Sequence, residues 1–155
     1  MSGTAVICCG NPSRGDDALG QLFFDRLEKA SGEFEVFCDY QLQIEHVFDM
    51  NDRECVIFVD AAVDIAGPFE MREIFPGRDM SHSTHVLSPQ ALLDVYEKVM
   101  KRTAPKAYLL SVKGESFGLG ESLSANAQKN LDAAWDFLKD FMELKSDLGK
   151  AAIPG

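Results

Sequence analysis

No apolar stretch in this 155-residue sequence approaches the roughly 18 residues that a membrane-spanning helix needs, so no membrane span is expected. Basic clusters are equally scarce: no run is longer than the Lys101-Arg102 pair, and 15 Lys and Arg stand against 25 Asp and Glu, a net charge of −10. Phosphate backbones are held by clustered Lys and Arg that release counterions, so this deficit argues against nucleic acid as a partner. The opening Met-Ser-Gly-Thr lacks the charged start of a secretory signal, which makes the cytoplasm the expected compartment. Only four cysteines occur, Cys8, Cys9, Cys38 and Cys55, none in a C-x-x-C spacing. They read as reduced core residues rather than a zinc site or a disulfide framework, because neighbours such as Cys8 and Cys9 on a strand point to opposite faces.

What is present is an ordinary globular composition, 46% hydrophobic and 26% charged, which excludes a disordered or collagen-like chain. A chain of about 150 residues can bury roughly two-thirds of its surface around one core. One domain is expected over residues 1–148, with 149–155 as a loose tail.

Apolar runs at Thr4 to Cys9, Phe34 to Cys38, Cys55 to Val59 and Ala107 to Val112 read as strands, with Phe69 to Phe75 as a charged edge strand. Between them, helical spacing appears from Asp17 onward (Leu19, Leu22, Phe23, Leu27) and over Gln41 to Met50. It returns after the Ser88-Pro89 start (Leu92, Leu93, Tyr96, Val99) and from Ser124 to Lys145 (Leu131, Ala134, Trp135, Leu138, Met142). The last stripe is expected to be core rather than a docking face. Alternating strands and helices predict a three-layer α/β fold, a twisted, mostly parallel five-stranded sheet with helices on both faces, whose working crevice lies beyond the carboxyl ends of the strands.

Three strand-end segments carry the chemistry: the loop from Gly10 to Gly20 with Asp16 and Asp17, Asp60 after the clearest strand, and Ser81-His82-Ser83-Thr84-His85. Asp16 or Asp17 can also serve simply as a helix cap. Asp60 has fewer structural excuses, since a carboxylate directly after an apolar strand is held near low dielectric. His46 is expected to be a surface or half-buried residue. Two carboxylates and an imidazole offer O/O/N ligands to a divalent transition metal with positions left open, unlike the four-ligand, cysteine-rich closure of structural zinc. A dinucleotide loop fits poorly: G-x-G-x-x-G is absent and two aspartates at the helix start would repel a pyrophosphate, so no nucleotide is expected.

These residues carry a resemblance. Gly10-Asn11-x-x-x-x-Asp16-Asp17-x-x-Gly20, the strand ending in Asp60-Ala61, the Ser83-Thr84-His85 loop before a helix, and the Gly114 to Ser124 segment with Phe117-Gly118 and Leu123-Ser124 occur in the order seen in hydrogenase maturation proteases, which the chain resembles from first strand to last helix. The resemblance implies a phosphorylase/hydrolase-like fold. It also implies an endopeptidase that removes a C-terminal extension from the nickel-loaded large-subunit precursor of a [NiFe] hydrogenase, without ATP or a serine nucleophile. Nickel would be supplied by the precursor, with Zn2+ or Cd2+ as stand-ins in vitro. By the same resemblance Asp17, Asp60 and His85 are the metal-binding residues. Asp16 is the extra carboxylate for general-base work if the metal serves only for recognition. One segment departs from the family: Asp39-Tyr40-Gln41-Leu42-Gln43 stands where an Asp-Gly-Gly or Asp-Gly-Thr turn is common. That loop is expected to border the crevice, where it bears on the identity of the client. The competing expectation is a non-catalytic metal-sensing chaperone or binding module on the same fold.

Overall fold

The computed structural model describes residues 3–77 and 87–146. Five strands form one sheet: β1 (Thr4–Cys9), β3 (Phe34–Asp39), β4 (Cys55–Ala62), β5 (Phe69–Ile74) and β6 (Lys106–Lys113). Their spatial order is β3-β1-β4-β6-β5, parallel except for the antiparallel edge strand β5. The helices are α1 (Leu19–Glu28), α2 (Val47–Met50), α3 (Pro89–Met100) and α4 (Ala125–Met142), with short 3-10 turns at Gly15–Ala18 and Ile44–His46. The five-stranded, mostly parallel sheet between helices is the three-layer α/β architecture expected from the sequence.

Alternation along β1 explains the layers. Val6 and Cys8 pack with Leu19, Phe23 and Leu27 of α1 and Leu131, Trp135 and Leu138 of α4, all buried. Ala5, Ile7 and Cys9 point the other way, onto Val47, Met50, Leu92, Leu93 and Tyr96 of α2 and α3. Cys8 and Cys9 are thus buried on opposite faces, while Cys38 and Cys55 are half-buried; all four are free thiols.

Several details differ from the sequence reading. Val99 is exposed at 52%, and Met100 takes the inner position instead, because Leu93, Tyr96 and Met100 continue one stripe. Helix α4 ends at Met142, where Glu143 turns left-handed. A small antiparallel pair, β2 (Ala30–Ser31) with β7 (Lys145–Ser146), fastens the chain just after α1 to the chain just after α4. Two-residue strands have no periodicity to read. None of the described helices is long and apolar enough to cross a membrane.

The order β3-β1-β4 sets the position of the site. The chain leaves β1 toward one edge to make β3, then crosses back to place β4 on the other side of β1. Between the carboxyl ends of β1 and β4 the crossovers diverge, which opens a crevice in folds of this kind.

Candidate functional site

Two acidic residues reach that crevice from the neighbouring strands. Asp17 lies in the 3-10 turn after β1, and Asp60 is near the end of β4, opposite Ser111 of β6. Both line one cleft of about 420 Å³. Its apolar wall comes from Leu42, Phe58, Leu87 and Leu109, and Tyr40 and Gln41 border it on the β3 side. The segment that departs from the usual glycine turn therefore does border the crevice.

The loop that carries Asp17 is shaped by two glycines. A Cβ on Gly10, whose φ is +155°, would overlap the Asp17 carbonyl oxygen, and a Cβ on Gly20 would overlap the backbone of Cys9. Only glycine lets the turn fold back on β1 at one end and lets α1 lie against β1 at the other. Within this turn Asn11 donates its backbone N–H to Asp17 Oδ2 at 2.8 Å, while its own side-chain oxygen accepts the Ser13 N–H at 2.9 Å. The spacing of Gly10, Asn11, Asp17 and Gly20 thus has a steric and hydrogen-bonding cause.

Asp60 Oδ1 accepts the N–H of Ala61 at 2.8 Å. Although the residue is open to solvent on one side, its carboxyl is crowded by the strand ends. Burial pushes it up to about 7, against the lowering effect of the Ala61 N–H and with a further rise from the charge of Asp17. Among the described residues no donor reaches Asp17 Oδ1 or Asp60 Oδ2, and the described lining contains no Lys or Arg. The two carboxylates therefore repel each other across the cleft with no compensating cation among the described residues. A divalent ion would relieve that repulsion, and oxygen donors of this kind suit one. The described residues contain no group of three metal-ligating side chains; His85, the third expected ligand, and its neighbour His82 lie outside the described residues.

Asp16 takes a different place from the one expected of it. It is fully buried, and its carboxylate is saturated. Oδ2 accepts the N–H groups of Glu115 (2.7 Å) and Ser116 (3.0 Å) and the hydroxyl of Ser124 (2.8 Å), while Oδ1 accepts the Ser124 N–H (2.7 Å). Burial would raise its proton affinity, but these donors outweigh burial and hold the carboxyl below its ordinary range. With its oxygens turned into the β6–α4 loop, it is not placed for general-base work in the cleft. Adjacent aspartates in one turn thus have opposite environments, which identity and spacing alone do not distinguish.

His46 is buried, and its Nδ1 accepts the Gln43 N–H at 2.8 Å at the start of the 3-10 turn Ile44–His46. Cys9 was read only as core, but it also lines the cleft. Its signal was parity: it is the last residue of β1 and shares a face with Ala5 and Ile7. Burial, reinforced by the charges of Asp60, Cys38, Asp39 and Asp17, raises its proton affinity far above the ordinary thiol value, so it is not a thiolate nucleophile. Iodoacetamide at pH 8 is expected to leave Cys8 and Cys9 unmodified in the native protein and to label them after denaturation, as peptide mass spectrometry would read. Rapid native labelling of Cys9 would contradict this environment.

An open α/β sheet with a two-carboxylate cleft at its switch point defines the class of fold and site. Solved structures of similar fold include named hydrogenase maturation proteases. The hydrogenase-maturating endopeptidase HybD from Escherichia coli superposes with a TM-score of 0.74 at 17% identity, covering 95% of this chain and 99% of that one. The [NiFe] hydrogenase maturation protease HycI from Thermococcus kodakarensis gives 0.71 at 19% identity, covering 91% and 92%. An uncharacterised protein from Wolinella succinogenes gives 0.63 at 22%, covering 90% and 96%. The chain therefore has the fold of hydrogenase maturation endopeptidases over nearly its full length. By sequence, no protein-family model and no curated protein matches it.

Proposed function

We propose that this chain is a hydrogenase maturation endopeptidase that removes the C-terminal extension of a nickel-loaded [NiFe] hydrogenase large-subunit precursor in the cytoplasm. The observation that carries the reading is the pair Asp17 and Asp60, brought into one cleft at the β1/β4 switch point of this fold. In this reading nickel arrives as part of the substrate. Asp17 and Asp60, with His85 as the third ligand, would engage it, and the metal would supply Lewis acidity and the check that the precursor is loaded.

The chain's own residues supply the rest. Asp17 is held through Oδ2 by the Asn11 N–H, which leaves Oδ1 to face the ligand. Asp60, bonded among the described residues only through Oδ1 to the Ala61 N–H, would turn its other oxygen to the metal, whereas the saturated Asp16 is turned away from the cleft and is not placed as a general base. The apolar wall of Leu42, Phe58 and Leu109 lowers the dielectric beside both carboxylates and gives an extended peptide an apolar surface to lie on. Tyr40 and Gln41, at the mouth, place side chains where the usual turn has glycines, and they are the positions that would distinguish one client from another.

The test is direct. The protein is incubated with a nickel-loaded precursor and the product is weighed by mass spectrometry. Loss of a C-terminal peptide is expected; a stable complex with intact precursor would instead identify a metal-sensing chaperone or binding module.

A further inference from the structure

The turn bearing Asp17 is bonded to a segment about a hundred residues further along the chain. Gly15 donates its N–H to Glu121 O at 3.2 Å, Asp16 donates to Ser116 O at 2.7 Å, and Gly120 donates to Ser13 O at 2.7 Å. Asp16 answers with the four accepted bonds described above, from Glu115, Ser116 and both donors of Ser124. Ser124 in turn caps α4, its hydroxyl oxygen accepting the Ala127 N–H at 3.2 Å. A cap bond of this kind satisfies one of the orphan donors of a helix start. Close packing adds to the hydrogen bonds. A Cβ on Gly114 would come within 2.8 Å of Asp16 Cβ, and one on Gly15 would overlap the Ser116 carbonyl.

We infer that Asp16 is a positioning residue: a buried latch that fastens the β6–α4 loop and the start of α4 to the Gly15–Ala18 turn, and so fixes where the Asp17 carboxylate stands in the cleft. Four donors converge on one fully buried side chain from residues about a hundred positions away. This is far more than closing a four-residue turn requires, since Asp17 N already bonds Arg14 O at 3.0 Å within the turn. The adjoining residue Asp17 inherits the constraint. Its carboxylate keeps the bond from Asn11 only while the turn is held against β1. In the loop from Gly10 to Gly20, the first aspartate holds and the second faces the ligand.

This inference rests on the proposed function for its activity readout, so the experiment includes one that does not. The backbone amide of Asn11 reports directly on the Asp17 carboxylate, and its 1H–15N resonance can be followed without any substrate. Asp16→Asn, which turns an acceptor into a donor facing other donors, is expected to shift the Asn11 amide clearly. It should also lower kcat for precursor cleavage at least tenfold, with KM changed less than twofold. Ser124→Ala, which removes one of the four bonds to Asp16 together with the cap bond to Ala127, should give the same pattern at roughly threefold. Ser124→Thr, which keeps the hydroxyl, should restore the wild-type Asn11 resonance and rate. If Asp16→Asn does not fold, as melting would show, the Ser124 pair decides. An unmoved Asn11 resonance and unchanged kcat in a folded Asp16→Asn or Ser124→Ala would overturn the assignment. If the wild-type protein cleaves no precursor, the proposed function fails, while the Asn11 resonance still decides whether Asp16 positions Asp17.

Discussion

Asparagine in place of Asp60 is expected to abolish precursor cleavage and yet make the protein more stable at pH 8. The folded carboxyl binds its proton up to about pH 7, against about 3.9 for an unfolded Asp, so between those values the folded chain holds the extra proton. Its folded-state affinity is raised, so its favourable contribution is fully present below about pH 4 and is lost as pH rises through about 7. Above that, the charged carboxylate crowded by the strand ends and repelled by Asp17 is a net cost. The difference between about 7 and about 3.9 corresponds to a ceiling of about 4 kcal/mol. Because one side of the residue is open to water, screening reduces the expected gain to about 1–2 kcal/mol. For a chain of this length that is about 3–6 °C in melting temperature at pH 8, vanishing near pH 4. Calorimetry across pH and mass spectrometry of the precursor check the two halves separately. A variant that cleaves normally removes Asp60 from the site, and one that melts lower than wild type at pH 8 removes the electrostatic account.

A second large effect is expected from a single methyl group. Gly20→Ala would drive a Cβ into the carbonyl oxygen, carbon and nitrogen of Cys9, which are backbone atoms of a central strand and cannot rotate away. Helix α1 would have to lift from β1, disturbing the contacts of Leu19 and Phe23 with Val6 and Cys8. Overpacking of this kind costs about 1–3 kcal/mol. With rigid backbone on the receiving side the upper end applies, or about 6–12 °C in melting temperature. Gly67→Ala is the control: its nearest neighbour would be the Phe69 carbonyl oxygen at 3.7 Å, ordinary contact, and a change within about 0.5 kcal/mol is expected. Equal melting of the two variants would contradict the close approach of α1 to β1.

The central strands β1 and β4 were legible because they are apolar on both faces. Cys55 to Val59 reads as a buried strand from composition alone, and a parallel arrangement follows from the helices between strands. Asp60 was legible for the same reason, since a carboxylate directly after such a strand is conspicuous. The different surroundings of Asp16 and Asp17 were not, because they depend on which residue of a 3-10 turn faces inward and on partners at Glu115, Ser116 and Ser124. Val99 and Met100 show another limit. Both fit an apolar stripe, and the packing places Met100, in line with Leu93 and Tyr96, on the inside and Val99 on the outside. The cleft-facing position of Cys9 was hidden by its resemblance to any other strand cysteine.

The sheet order also dictates when the cleft can exist during folding. Asp17 and Asp60 are brought together by the parallel pairing of β1 with β4, Cys8 lying opposite Val59, and the chain between them must first travel out through β3 and back. Parallel pairing across such a crossover is non-local and slow, because loop closure must be met before contacts reward it. The Ser124 bond to Asp16 draws on the start of α4, farther still along the chain. The cleft and its hydrogen-bonded surround are therefore assembled only when segments about a hundred residues apart have met.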